Sequence, residues 1–151
     1  MTTSLINDVI TIDEYRVEIT QSMDNILLIP IVQNMAKTIS FSDVDRAMLA
    51  TIASELATNI LRYAKQGEMI VRVIRKSNEI NEYALEIIAV DKGPGIKNID
   101  LAVKDNFTTL ENSMGMGLPF VKRFMDEFFI DSKINEGTAI TVRKWCSYVQ
   151  D

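Results

Sequence analysis

Between two segments of clear periodicity, the chain has a long stretch with none. It covers residues 91–117, with Gly93-Pro94-Gly95 near its start and Gly115-Met116-Gly117 at its end. A strand pattern precedes it at about Tyr83–Val90, and an amphipathic helix pattern follows it at about Leu118–Phe128. Because irregular loops of this length are uncommon in compact domains, we expect a functional loop between a strand and a helix.

The N-terminal half shows one strand pattern and two helix patterns. Tyr15–Ile19 alternates apolar and polar residues, as a half-buried strand does. A helix-like stretch follows at about Met23–Ile39, in which Pro30 marks either a kink or a first turn. The clearest helix begins after Ser42, a good N-cap residue, and Gly67 is a plausible stop.

Three further strands complete the pattern. The first, at about Met69–Lys76, precedes the strand that leads into the irregular stretch. The other two, at about Phe129–Ile134 and Thr138–Trp145, are joined by a hairpin turn at Asn135-Glu136-Gly137. Adjacent strands with short turns predict a mostly antiparallel sheet with helices on one face, which is an α+β two-layer sandwich. We expect residues 1–151 to form a single domain.

Composition excludes several classes of function. The chain contains 151 residues with a formal net charge of −5, no histidine, and Cys146 as its only cysteine. The acidic balance disfavours nucleic acid as a partner, and the absence of histidine excludes His-based triads and phosphohistidine chemistry. No apolar run is long enough for a membrane span, and no signal peptide is visible. We therefore expect a cytoplasmic protein that does not contact membranes.

A carboxylate and a carboxamide form the first candidate cluster. Glu55 and Asn59 are four residues apart on the predicted helix, and Arg62 continues the same face. This face lies away from the apolar stripe. A carboxylate beside an amide oxygen can polarise a nucleophile and hold a hard cation. The alternative is an ordinary solvated helix face.

Two glycine-rich segments form the other clusters. Asp91 follows a strand directly, and its carboxylate can accept a hydrogen bond from an exocyclic amine, while Gly93 and Gly95 let the backbone approach a flat ligand. Gly115 and Gly117 precede a helix N-terminus, whose free N–H groups can bind phosphate. The alternatives are a simple turn at the first segment and an ordinary helix-leading loop at the second.

In this order, the three clusters resemble the N, G1 and G2 boxes of the GHKL ATPase class. The class has an α/β sandwich fold, with a lid over ATP before the G2 box. The resemblance implies ATP and Mg²⁺ as ligands, Glu55 as the catalytic base and Asn59 as the metal ligand. Ser113 stands where relatives often have glycine, and Thr138 matches a threonine on the adenine side. The implied nucleotide-binding residues are Asn59, Asp91, Gly93, Gly95, Ser113, Gly115, Gly117 and Thr138.

The resemblance narrows to the bacterial anti-sigma-factor and switch-kinase branch, over about residues 13–145. Its most specific parts are the run Val121–Phe128 and the ending Arg143-Lys144-Trp145. It implies a serine/threonine protein kinase that phosphorylates a STAS-domain protein, either a stressosome scaffold or an anti-sigma-factor antagonist. It also implies activation of a PP2C-type phosphatase. The alternatives are an anti-sigma factor that holds a sigma factor directly, and an ATP-dependent binding module without transfer.

Overall fold

The computed structural model describes residues 8–97 and 117–147. Within them the strands and helices follow one another in the predicted order. A short 3₁₀ turn, Ser22–Asp24, precedes the first helix. The helices are α1 (Asn25–Thr38), α2 (Asp43–Tyr63) and α3 (Leu118–Phe124). The strands are β1 (Val9–Ile19), β2 (Gly67–Lys76), β3 (Glu82–Asp91), β4 (Glu127–Lys133) and β5 (Gly137–Ser147).

The strands form one sheet in the order β1-β2-β3-β5-β4, and every neighbouring pair is antiparallel. The helices cover one face of this sheet. The helix-facing side chains of β3, Leu85, Ile87 and Ala89, belong to the same core as Leu28 of α1 and Leu56 of α2. The predicted α+β sandwich, with a mostly antiparallel sheet and helices on one face, is confirmed.

The opposite face of the sheet carries a row of alternating charges. Glu14, Arg72, Glu86, Arg143 and Glu127 lie in register across β1, β2, β3, β5 and β4. Consecutive members form ion pairs of 2.6, 3.3, 2.7 and 3.6 Å. The central pair is buried, with Glu86 3% and Arg143 2% exposed. Because opposite charges on directly paired strands attract each other, this row stabilises the strand register.

The N-terminal elements differ from the prediction in their extent. β1 begins at Val9, well before Tyr15, because it pairs with β2 along almost its whole length, with an irregularity between Thr11 and Asp13. Pro30 lies inside α1 and not in a first turn. Since proline has no N–H, the carbonyl of Ile26 lacks its usual helical donor there.

The predicted stop at Gly67 is wrong. α2 ends at Tyr63, and Lys65 takes the left-handed conformation with φ 74°. Gly67 instead opens β2, where a Cβ atom would lie 2.4 Å from the carbonyl oxygen of Val90. The glycine is therefore required by the close approach of β3, and not by the end of the helix.

The helix predicted to reach Phe128 ends at Phe124. The residues after it are drawn into the sheet, since the N–H of Asp126 donates to the carbonyl of Arg143 at 2.9 Å. The Asp126 carboxylate in turn accepts the N–H of Trp145 at 2.8 Å. Pairing with β5 thus overrides the local helical pattern, and β4 begins at Glu127.

Candidate active site

α2 carries the carboxylate and carboxamide of the first cluster. The side chain of Ser42 caps this helix by accepting the N–H of Asp45 at 3.2 Å. Glu55 and Asn59 lie beside the buried apolar stripe and are half-buried themselves, so they do not form a freely solvated face. The pattern that placed them away from the stripe therefore underestimated their burial.

The half-buried position of Glu55 changes its acidity. Burial raises the pKa of the Glu55 carboxyl above its ordinary value, and the positive charge of Arg62 opposes part of this shift. A carboxylate that is partly desolvated and next to a cation is typical of a general base. The helix thus presents a proton acceptor in a partly water-excluded position.

Asp91 ends β3 on the helix-facing side of the sheet. One of its carboxylate oxygens, Oδ1, accepts the N–H of Gly93 at 2.8 Å, which fixes the side chain over the start of the loop. The other oxygen can accept a hydrogen bond from a ligand amine. The sequence placed Asp91 at a strand end, and this is where it lies.

The glycines after Asp91 are explained by close contacts with the protein. A Cβ atom on Gly93 would lie 2.5 Å from the Cβ of Ala64, just after the C-terminal end of α2. Gly95 has φ +80°, and a Cβ there would lie 2.3 Å from the carbonyl oxygen of Lys133. The loop thus contacts both the residue after α2 and the end of β4. These contacts place the segment after Asp91 beside the helix that carries Glu55.

Thr138 and Ser132 continue the row that begins at Asp91. Asp91 is paired with Thr138 across β3 and β5, and Thr138 is paired with Ser132 across β5 and β4. Thr138 is 9% exposed, and its Oγ1 lies 2.8 Å from Ser132 Oγ. Sequence reasoning missed Ser132. The predicted turn at Asn135-Glu136-Gly137 would pair Ile134 with Thr138, whereas the observed turn covers residues 134–136 and so pairs Ser132 with Thr138.

Gly117 is the N-cap of α3 and has extended backbone angles. Its carbonyl accepts the N–H groups of Phe120 and Val121 at 3.1 and 3.3 Å. Among the described residues, a Cβ atom there would meet only Pro119, at an ordinary 3.5 Å. Packing against residues 8–97 and 118–147 therefore does not require a glycine at this position. Ser113 and Gly115, also predicted to bind nucleotide, lie outside the described residues.

A family model described as a histidine kinase-like ATPase domain matches residues 26–144. The chain belongs to this family. The match spans α1 to β5 and includes Glu55, Asn59, Asp91 and Thr138.

The individual relatives of this histidine kinase-like ATPase domain include a serine/threonine-protein kinase and several anti-sigma F factors. The serine/threonine-protein kinase RsbT of Bacillus subtilis is 42% identical over 113 residues, which are 75% of this chain and 82% of that protein. An anti-sigma F factor of Clostridium beijerinckii is 37% identical over 99 residues, 62% of this chain and 66% of that protein. An anti-sigma F factor of Caldanaerobacter subterraneus is 32% identical over 101 residues, which are 66% of this chain and 69% of that protein.

The matches confirm two predictions, that the chain has the GHKL-type fold and that it is an ATP-dependent protein kinase related to the anti-sigma factors. The roles of the individual site residues stay predictions. In the described part of the chain, no helix is long and apolar enough to cross a membrane.

The donors available for a metal ion in this family member are few. Residues 8–97 and 117–147 contain no group of three acidic or cysteine side chains that could hold a metal by themselves. Asn59 offers an amide oxygen, the kind of hard donor that Mg²⁺ prefers, and Mg²⁺ commonly takes few protein ligands when it is bound with a phosphate substrate. The residues present therefore fit a magnesium ion held jointly by the protein and a nucleotide.

Proposed function

We propose that this chain is a serine/threonine kinase that transfers the γ-phosphate of ATP to a STAS-domain protein in a partner-switching pathway that controls a sigma factor. The observation that carries the proposal is the half-buried Glu55, whose pKa is raised by burial. Glu55 lies on α2, and the residue that follows the C-terminal end of this helix packs against the loop after Asp91. The proposed proton acceptor, Glu55, and the proposed adenine-binding residue, Asp91, thus lie on parts of the chain that pack against each other.

Each residue has a distinct role in this proposal. Asp91 accepts a hydrogen bond from the adenine amine and so selects ATP. Glu55 removes the proton of the incoming serine or threonine hydroxyl. The hydroxyl oxygen attacks the γ-phosphorus at the same time, and ADP leaves. Asn59 would bind Mg²⁺, which offsets the negative charge of the phosphates. The products are a phosphomonoester on the partner and ADP.

These 151 residues contain no histidine, so no histidine among them can be the acceptor. The relative RsbT is a serine/threonine-protein kinase, which favours a hydroxyl as the acceptor. Its similarity to RsbT and to the anti-sigma F factors favours a regulatory protein as the acceptor. Released from that partner, the kinase would also activate a PP2C-type phosphatase.

The anti-sigma F factors among the relatives favour a second candidate function. In this alternative the chain binds a sigma factor directly, and ATP changes the choice of partner without phosphate transfer. Co-purification with a sigma factor, together with intact ATP binding and no phosphorylated product, would support it.

The test is a transfer assay with Mg²⁺, ATP and a STAS-domain protein from the same genome, in which phosphate is mapped by mass spectrometry. We expect an acid-stable phosphoserine or phosphothreonine on the STAS protein. Glu55→Gln should bind ATP but slow the transfer by about 10²-fold or more, as loss of a general base does. Glu79→Gln, an exposed matched control, should transfer at the wild-type rate. ATP binding without any modified partner would refute the kinase proposal.

A further inference from the structure

β1 lies at one end of the sheet, and within the described residues its only strand neighbour is β2. Edge strands present a row of N–H and C=O groups that can pair with another strand, and proteins commonly protect them with proline, lysine, a bulge or a short length. β1 is 11 residues long and contains neither proline nor lysine. Only the irregularity between Thr11 and Asp13 interrupts it, which leaves Asp13–Ile19 as a regular edge.

The opposite edge strand, β4, is shorter and is partly covered. It has 7 residues and ends on Lys133. The loop after β3 lies against this end, where the N–H of Ile96 donates to Ser132 Oγ at 2.7 Å. The N–H of Asn135, just beyond the strand, donates to the carbonyl of Pro94 at 2.8 Å. Of the two edges in the described part of the chain, β1 is therefore the one better suited to pair with a further strand.

The charges of β1 select one register for pairing with a second copy of the chain. When a strand pairs antiparallel with its own copy, a two-fold axis passes through one residue, which then faces itself. An axis at any charged residue of the regular edge would place like charges opposite each other, which is unfavourable. An axis at Tyr15 instead places Glu14 opposite Arg16 of the second copy, twice by symmetry.

An axis at Val17 would also place opposite charges face to face, Arg16 against Glu18. Because β1 ends at Ile19, that register would pair only residues 15–19 of each copy. The register about Tyr15 pairs residues 11–19 and so satisfies more backbone groups. It is the register that both the charges and the length of the strand favour.

Glu14 and Arg16 can form these pairs while they keep their present partners. Arg16 donates from Nε to Glu14 at 3.0 Å and from Nη1 to Glu68 at 3.1 Å, and a guanidinium has five N–H donors in total. Glu14 also accepts from Arg72 at 2.6 Å, and a carboxylate offers about four acceptor positions. Arg16 of the second copy would thus extend the charge row beyond Glu14.

The helix-facing side of the edge is apolar. Tyr15 is paired with the core residue Val71, so its ring lies on the helix-facing side, where it is 50% exposed. Two tyrosines that face each other across the axis would cover this surface. The register also brings Ile10 of the second copy opposite Thr20. The segment just after Thr20 carries three apolar side chains that are 62–67% exposed, those of Met23, Ile26 and Leu27.

We propose that this chain forms a two-fold symmetric dimer in which the β1 strands of two copies pair antiparallel about Tyr15. The two sheets then form one continuous sheet of ten strands, five from each copy. The inference does not rest on the proposed kinase function, because no residue at the axis belongs to the proposed ATP site.

Sedimentation velocity of the full chain at about 1–100 µM tests the dimer. We expect a concentration-dependent dimer for the wild type. Tyr15→Lys places two ammonium groups at the axis and should weaken dimerisation by roughly 10-fold or more. Ile80→Lys is the control, since it makes the same change of charge at an exposed position between β2 and β3 and should dimerise like the wild type. A wild-type chain that stays monomeric, or a dimer that Tyr15→Lys does not weaken, would overturn the inference.

Cysteine cross-linking locates the axis independently of any change of charge. In a Cys146→Ser background, Tyr15→Cys should form a disulfide between two copies under mild oxidation. Residues directly opposite each other on antiparallel strands have Cα atoms about 4.5–5.5 Å apart, which suits a disulfide. Glu18→Cys is the control, because the two copies of residue 18 would lie about 20 Å apart in this register. Equal cross-linking of the two variants would contradict an axis at Tyr15 even if a dimer is present.

Discussion

Replacing Asp91 by asparagine tests the proposed role of this residue in adenine recognition. The carboxylate has two oxygens with different tasks. Oδ1 accepts the N–H of Gly93 at 2.8 Å and holds the loop, and the second oxygen is available to the adenine amine. Asparagine keeps one oxygen for Gly93 but places an NH₂ group where the amine must donate. The loop should therefore stay in position, whereas the bond to the ligand should be lost.

The size of the effect follows from the kind of bond that is removed. A hydrogen bond to an ionised group contributes about 1.5–3 kcal/mol, and here an acceptor also becomes a donor. Asp91→Asn should therefore weaken ATP binding by about 10- to 150-fold. The free energy of unfolding should change much less, because the bond to Gly93 survives the substitution.

Calorimetric titration with ATP and GTP, together with urea denaturation, measures both quantities. Asp131→Asn is the matched control, because Asp131 is an exposed aspartate on β4. This variant should bind ATP as tightly as the wild type. Unchanged ATP affinity of Asp91→Asn, or equal affinity of the wild type for ATP and GTP, would refute the assignment. A loss of affinity that accompanies an equal loss of folding stability would contradict the proposed division between the two oxygens.

Two further predictions concern charge. Because burial raises the pKa of Glu55, and only its ionised form accepts a proton, the acidic limb of the kcat/KM profile should lie above the ordinary glutamate value of about 4.3. Arg62→Gln should move this limb to higher pH, and a downward shift would contradict the account. In the charge row, Glu86→Gln leaves the buried Arg143 with only the 3.6 Å pair to Glu127, so it should lower the free energy of unfolding by about 3 kcal/mol. Urea denaturation measures this loss of stability. Glu14→Gln, at the exposed end of the charge row, should have a much smaller effect. Equal effects of the two substitutions would show that burial is not the cause.

The elements that depend on local interactions could be predicted from the sequence. The cap at Ser42, the strand end at Asp91 and the existence of a turn near Asn135 depend on neighbours a few residues away, although this turn covers residues 134–136, one residue earlier than predicted. Their periodicity and turn chemistry therefore stand in the sequence itself. The same holds for the spacing of Glu55 and Asn59 on one helix. The family resemblance rests on short local motifs, the Glu55 and Asn59 pair and the two glycine-rich segments, and the family match confirms it.

Only the tertiary structure decided how distant segments meet. The insertion of β5 between β3 and β4 depends on long-range pairing, and that pairing also ended α3 at Phe124, where the local pattern favoured a longer helix. The half-burial of Glu55 and the link from Ser132 to Ile96 arise from packing between separate elements. Such contacts depend on the order of strands in the sheet, which hydrophobic periodicity does not encode, because periodicity reports which face is buried and not which neighbour covers it.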